Sequence, residues 1–135
     1  MKKQFVTYEI ALKLKELGFD KPCFGFFDGS RNNKLWYEMP NKGINYIPTY
    51  AILAPLWQQV IDWLANTHKI FIEIRFADKT LTVYEFCVYK TFEELVKNTT
   101  ERIGLGDDRK VYTTYSEVRE KAILKAIELC QNKKS

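Results

Sequence analysis

The chain has 135 residues, enough for one domain that buries roughly two thirds of its unfolded surface and needs no metal or disulfide staple. Hydrophobic residues make up 46% and aromatics 15%, a composition that excludes a disordered chain and supports a full core. The net charge of +4, from 21 basic and 17 acidic side chains, gives only a weak overall field.

The basic excess is uneven. Residues 1–108 carry 14 basic and 14 acidic side chains, which cancel. Residues 109–135 carry Arg109, Lys110, Arg119, Lys121, Lys125, Lys133 and Lys134 against Glu117, Glu120 and Glu128. Such a tail suits a polyanion, but it equally suits the solvated, negative end of a helix. The three cysteines, Cys23, Cys87 and Cys130, are odd in number and scattered. They fit small buried apolar residues in a reducing compartment better than a disulfide framework or a zinc site. No apolar segment of signal-peptide type follows Met1-Lys2-Lys3-Gln4, and no apolar run is long enough to span a bilayer. The expectation is a cytoplasmic protein without membrane contact.

In chain order, Ile10, Leu14 and Leu17 share one helical face, which predicts a helix from about Thr7 to Leu17. Gly18 stands where a left-handed cap belongs, and Pro22 blocks extension. Cys23 to Phe27 and Lys34 to Glu38 read as strands flanking the turn-rich Asp28-Gly29-Ser30-Arg31-Asn32-Asn33, hence a hairpin. After the turn Asn41-Lys42-Gly43, Ile44 to Ile47 reads as a short third strand. Pro55 opens a second helix over 55–67, with Leu56, Val60, Trp63 and Leu64 on its apolar face and His68 near its negative end. Ile70, Ile72, Ile74 and Phe76 alternate with Phe71, Glu73 and Arg75, as a half-buried strand does. Ala77-Asp78-Lys79 turns the chain, and Thr80 to Lys90 returns as its partner. Thr91 to Leu95 reads as a short helical turn and 98–110 as a loop. Thr114-Tyr115-Ser116-Glu117 has the form of a capping box for a last helix reaching about Gln131, with 132–135 fraying. The fold class is α+β: one domain, 1–135, with a mainly antiparallel sheet of four to five strands in two hairpins and three helices packed on one face.

Three blocks, Lys15-Glu16-Leu17-Gly18-Phe19-Asp20-Lys21-Pro22-Cys23, Ile47 to Leu64, and the closing helix Tyr115 to Leu129, together resemble a group of small uncharacterised proteins of Bacteroides-type gut bacteria and their phages. Lys21 and Val118 stand where that group has Glu and Ala. The resemblance implies a phage, prophage or mobile-element setting. It implies no activity and carries over no catalytic residue.

His68 is the sole histidine, which excludes a multi-histidine metal site and leaves a Ser-His-Asp triad only this residue to draw on. A pair between His68 and Cys87 or Cys23 lacks any local signature. Glu93-Glu94 and Asp107-Asp108 are paired acids, a form that general acid–base work or cation binding uses, but they better fit a helical first turn and a loop. Gly104-Leu105-Gly106 is a fragment of a phosphate loop without its strand, third glycine or lysine. Glu73, Arg75 and Glu85 are strand charges that can pair across a hairpin. No cofactor and no metal is expected.

The aromatics offer the strongest lead. Trp36 and Tyr37 are adjacent on one strand, so they point to opposite faces and one of them is expected to be exposed. With Tyr46 and Trp57 they form the candidate binding surface; an unusually aromatic core is the plainer alternative. The first function class is a non-enzymatic interaction module that binds a protein partner or itself. The second is a nucleic-acid-binding accessory protein using Arg109, Lys110, Arg119, Lys121 and Lys125 with exposed aromatics, although no RNP-type motif is present. The third is an enzyme with a carboxylate-centred site, for which the sequence offers no assembled set.

Overall fold

A computed structural model describes residues 2–28, 34–37, 51–90 and 111–133. Among them are three α-helices, α1 (Tyr8–Glu16), α2 (Trp57–His68) and α3 (Tyr115–Lys133), and five strands, β1 (Gly25–Asp28), β2 (Lys34–Tyr37), β3 (Ile52–Ala54), β4 (Phe71–Phe76) and β5 (Tyr84–Tyr89). All strand pairs are antiparallel, so the α+β expectation and both hairpins hold. The strands divide between a three-stranded sheet of order β2-β1-β3 and a two-stranded sheet β4-β5. The chain forms two compact units, Met1–Val60 and Ile61–Ser135, with the division falling inside α2.

In the first unit, α1 begins where Thr7 accepts a hydrogen bond from the Ile10 N–H (3.3 Å). It ends at Gly18, whose φ of +92° needs no Cβ to be accommodated. The Gly18 N–H donates to Lys15 O and the Phe19 N–H to Leu14 O, which satisfies the last carbonyls in a Schellman arrangement. Ile10, Ala11 and Leu14 are buried, and α1 packs on β3. Phe5 forms a single bridge with Leu56, and the Val6 N–H donates to Pro55 O (3.0 Å). The Phe5 ring also lies over Gly25: a Cβ there would come within 2.8 Å of its Cε1.

β3 is an addition to the sequence expectation. Ile52-Leu53-Ala54 pairs with Phe27-Phe26-Gly25, and the helix that was expected from Pro55 starts at Trp57. Gln59 replaces Pro55 as the device that opens α2: its Oε1 accepts from the Leu56 N–H (3.4 Å), as the third residue of a capping box does. The strand expected at Ile44 to Ile47, the helical turn from Thr91 and the loop over 98–110 lie outside the described residues.

In the second unit, β4 and β5 pair from Phe71↔Tyr89 to Phe76↔Tyr84. The return strand is shorter than Thr80 to Lys90 because Asp78 holds the turn open over several residues. Its carboxylate accepts from the hydroxyls of Thr80 and Thr82 and from the Thr82 N–H. Helix α3 packs on β5 and β4 through a stripe in which Val118, Ala122, Ile123, Ala126 and Ile127 are almost wholly buried. Thr114 accepts from the Glu117 N–H (3.2 Å), the expected cap. The helix runs to Lys133, two residues beyond the expected Gln131.

The Phe5–Gly25 contact sets one test. Gly25→Ala forces the Phe5 ring and the Trp36 carbonyl to move, since the added Cβ lies 3.1 Å from that backbone oxygen. The expected loss is about 1–3 kcal/mol in urea unfolding, the usual range for overpacking; an unchanged midpoint would show that the ring yields freely.

Candidate functional site

β2 closes one side of the three-stranded sheet and presents both of its aromatics. Trp36 is 40% exposed and Tyr37 42%. Sequence alternation had assigned one of them to solvent. Both are open because β2 is the outermost described strand, so neither face of it is fully covered. Register explains what each touches. Trp36 stands opposite Phe26, and Phe26 opposite Leu53, on one face. Tyr37 stands opposite Gly25 on the other, with its ring 5.4 Å from that of Phe5. The Lys34 ammonium sits 4.8 Å from the Trp36 ring, a cation–π contact. Leu35 is half-buried.

The other candidates separate. Trp57 is 7% exposed, and its indole N–H donates to Lys3 O (3.0 Å). It is therefore a packed, hydrogen-bonded side chain in the first unit and does not join Trp36 and Tyr37 at the surface. Tyr46, Arg109 and Lys110 lie outside the described residues, as do Glu93-Glu94, Asp107-Asp108 and Gly104-Leu105-Gly106. On α3, Arg119 is half-buried with its guanidinium 5.6 Å from the Tyr115 ring, while Lys121 is exposed. Lys125 lies 3.8 Å from the Glu128 carboxylate. At 3.6 residues per turn, Lys121 and Lys125 share a face and Arg119 points elsewhere. The three cations do not converge.

The second unit has an aromatic row that spacing alone did not reveal. Phe76 stacks on Tyr84 at 5.1 Å, and Tyr84 meets Tyr115 edge-on at 6.0 Å. Phe76 and Tyr115 are both exposed. The sequence signal for Phe76–Tyr84 was the hairpin register, which places them opposite each other.

The strand charges form the expected cross-strand set. Arg75 Nε donates to Glu85 Oε1 (2.8 Å) and Arg75 Nη1 to Glu73 Oε1 (3.2 Å). The Tyr89 hydroxyl donates to Glu73 Oε2 (3.3 Å). Glu85 is only 7% exposed, and Cys87 on the same face is buried. Partial burial opposes the Arg75 charge, yet the hydrogen bond to Glu85 and the neighbouring acidic groups outweigh it and hold its pKa above the ordinary value. Burial, reinforced by the acidic neighbours, raises Tyr89 to about 12. Burial also raises Cys87, against the opposing pull of Arg75.

All three cysteines are buried and unbonded to one another. Burial pushes the Cys23 thiol up to about 12 although its contact with Gln59 pulls the other way, and its Sγ donates to Lys21 O (3.2 Å). Such thiols are poor nucleophiles at neutral pH. His68 packs edge-on against Trp63 at 4.8 Å, at the end of α2. Among the described residues no cluster of three His, Cys, Asp or Glu side chains has the geometry to hold a metal ion, and no helix is long and apolar enough to cross a membrane. A hollow of about 150 Å³ in the first unit, lined by Ala11, Lys15, Phe19, Asp20, Ala51 and Leu53, is smaller than the usual ligand pocket.

Two measurements follow. Arg75→Met leaves Glu85 buried without its cation and is expected to destabilise by about 2–3 kcal/mol in urea unfolding. Adding Glu85→Gln should recover part of that loss; equal losses in both variants would show that the pair is uncoupled. The Cys23 thiol stays protonated to about pH 12 in the fold but has an ordinary value of 9.0. Its contribution to stability is complete below pH 9.0 and is lost as pH rises toward about 12. Unfolding midpoints should fall across that window, less steeply in Cys23→Ala; identical slopes would remove Cys23 as a cause.

A scan against protein-family models finds no match for this chain, and searches of curated proteins and of solved structures find none either.

Proposed function

We propose that this chain is a small non-enzymatic protein-interaction module, working in the cytoplasm in a phage or mobile-element setting. The setting rests on the resemblance of its three sequence blocks. The observation that carries the interaction reading is the joint exposure of Trp36 and Tyr37 on the outermost described strand of the first sheet. Large aromatics bury 150–250 Å² each when covered and dominate binding at protein interfaces. Two adjacent ones left open supply an anchor at little cost in side-chain ordering, because each has only two rotatable side-chain bonds.

The chemically able groups support this reading by being engaged with one another. Arg75, Glu73, Glu85 and Tyr89 are hydrogen-bonded among themselves, and the thiols of Cys23 and Cys87 are held protonated. The nucleic-acid alternative draws on Arg119, Lys121 and Lys125, which α3 distributes around its axis rather than along one groove.

The test is a pair of titrations. In dilute protein, acrylamide should quench the fluorescence of Trp36 and leave the buried Trp57 and Trp63 largely untouched. A labelled single-stranded oligonucleotide should show no binding at low or moderate salt. A complex that dissolves as salt rises would replace the interaction reading with the nucleic-acid one.

A further inference from the structure

We propose that the hollow between α1 and β3 binds a small zwitterion, a free α-amino acid with a short apolar side chain. The inference goes beyond the interaction reading and does not depend on it. The hollow of about 150 Å³ is bounded by Ala11 and Lys15 of α1, by Phe19 and Asp20 just past that helix, and by Ala51 and Leu53 at β3. Local structure explains why it exists. Ala11 and Lys15 stand one helical turn apart on the same face of α1. The Gly18 turn, closed by the Phe19 N–H donating to Leu14 O (3.0 Å), returns the buried Phe19 to that face and sets Asp20 next to it. Two of the apolar lining residues are alanines, which leave room that larger side chains would fill.

Size and charge then select the occupant. An apolar cavity of about 150 Å³ can hold a six-carbon ring, so this space suits one branched aliphatic side chain. Lys15 and Asp20 are exposed at its rim, and among the described residues neither side chain has an ion-pair or hydrogen-bond partner. A cation alone would meet the Lys15 ammonium, and an anion alone would meet the Asp20 carboxylate. A ligand carrying both charges meets the opposite charge on each side. Its ammonium turns to Asp20, which lies past the negative end of α1, and its carboxylate turns to Lys15. Its side chain rests against Phe19 and Leu53. Both rim charges face solvent, so each contributes modestly and the ligand is a weak, millimolar one.

Titration of the full chain with L-leucine, followed by the amide chemical shifts in NMR spectra, tests this. The expected result is saturable movement of the Ala11, Phe19 and Leu53 amides. Isopentylamine, which lacks the carboxylate, and isocaproate, which lacks the ammonium, should each bind about tenfold more weakly, the effect of one charge-assisted hydrogen bond. Lys15→Met should make leucine no better a ligand than the amine. Ala51→Leu fills the hollow and should abolish the response; circular dichroism reports whether it folds, and Ala51→Val serves if it does not. A chain that shows no saturable shift with L-leucine overturns the proposal. Movement centred outside the hollow overturns it too, as does an equal response to leucine and both half-ligands, which would mark apolar occupancy alone. Quenching of Trp36 is read separately, so the interaction reading stands or falls on its own measurement.

Discussion

The first unit depends on how the N-terminal residues meet the chain just ahead of α2. Phe5 pairs with Leu56, Val6 donates to Pro55, and the Trp57 indole donates to Lys3, so three contacts fix one short segment against the start of the helix. That placement brings the Phe5 ring onto Gly25, where no side chain interferes, and beside Tyr37. Residues 5, 25, 37 and 56 are far apart in sequence, so the contact brings the sheet and the N-terminus into one packed body only after several loops have closed. The Gln59 amide adds to it by donating to Pro22 O (2.8 Å) while its oxygen caps α2. One side chain thus satisfies a helix terminus and a loop carbonyl that would otherwise rely on water.

The second unit is built on a different principle. Its two-stranded hairpin would be marginal alone, and α3 supplies the apolar surface that it needs. The period-two pattern of β4 and β5 places Ile72, Ile74, Phe86 and Val88 on one face and Glu73, Arg75, Glu85, Cys87 and Tyr89 on the other. The polar face is not a row of solvated charges: Glu85 and Cys87 are buried, and Arg75 reaches both carboxylates. An ion pair in such a place adds little net stability over an apolar pair, but it makes any other register costly, because a slip by one residue would leave Glu85 without Arg75. The hairpin is held in register by what it would lose.

Local signals were legible and long-range ones were not. The Thr7 and Thr114 caps, the Gly18 stop, both hairpins and the amphipathic stripes of α2 and α3 all follow from residues within a few positions of one another. β3 was missed because three residues between two apolar stretches have no resolvable period, and because Pro55 offered a more familiar helix start than Gln59. Among the candidate site residues, Trp36 and Tyr37 were legible as strand neighbours, but alternation alone assigns only one to solvent. Only the sheet order, with no described strand beyond β2, opens both. Trp57 shows the converse. An aromatic on a helical face reads the same whether its N–H meets solvent or a backbone carbonyl 54 residues away.

Aromatics in this chain are treated in two ways: Trp36 and Tyr37, like Phe76 and Tyr115 of the second unit, stand exposed, while others are buried. Trp57 and Trp63 are buried, Tyr89 is 1% exposed with its hydroxyl satisfied by Glu73, and the Phe27 ring is covered by an edge contact from Tyr8. A sequence that gives a hydrogen-bond partner to a buried indole and a buried phenol is not short of means to cover two more rings. Yet β2 leaves both Trp36 and Tyr37 open on a strand whose single charge is drawn onto the indole. Charged residues stand on both strands, Glu73 and Arg75 on β4 and Lys34 on β2, but Arg75 is drawn to carboxylates and Lys34 to an aromatic ring.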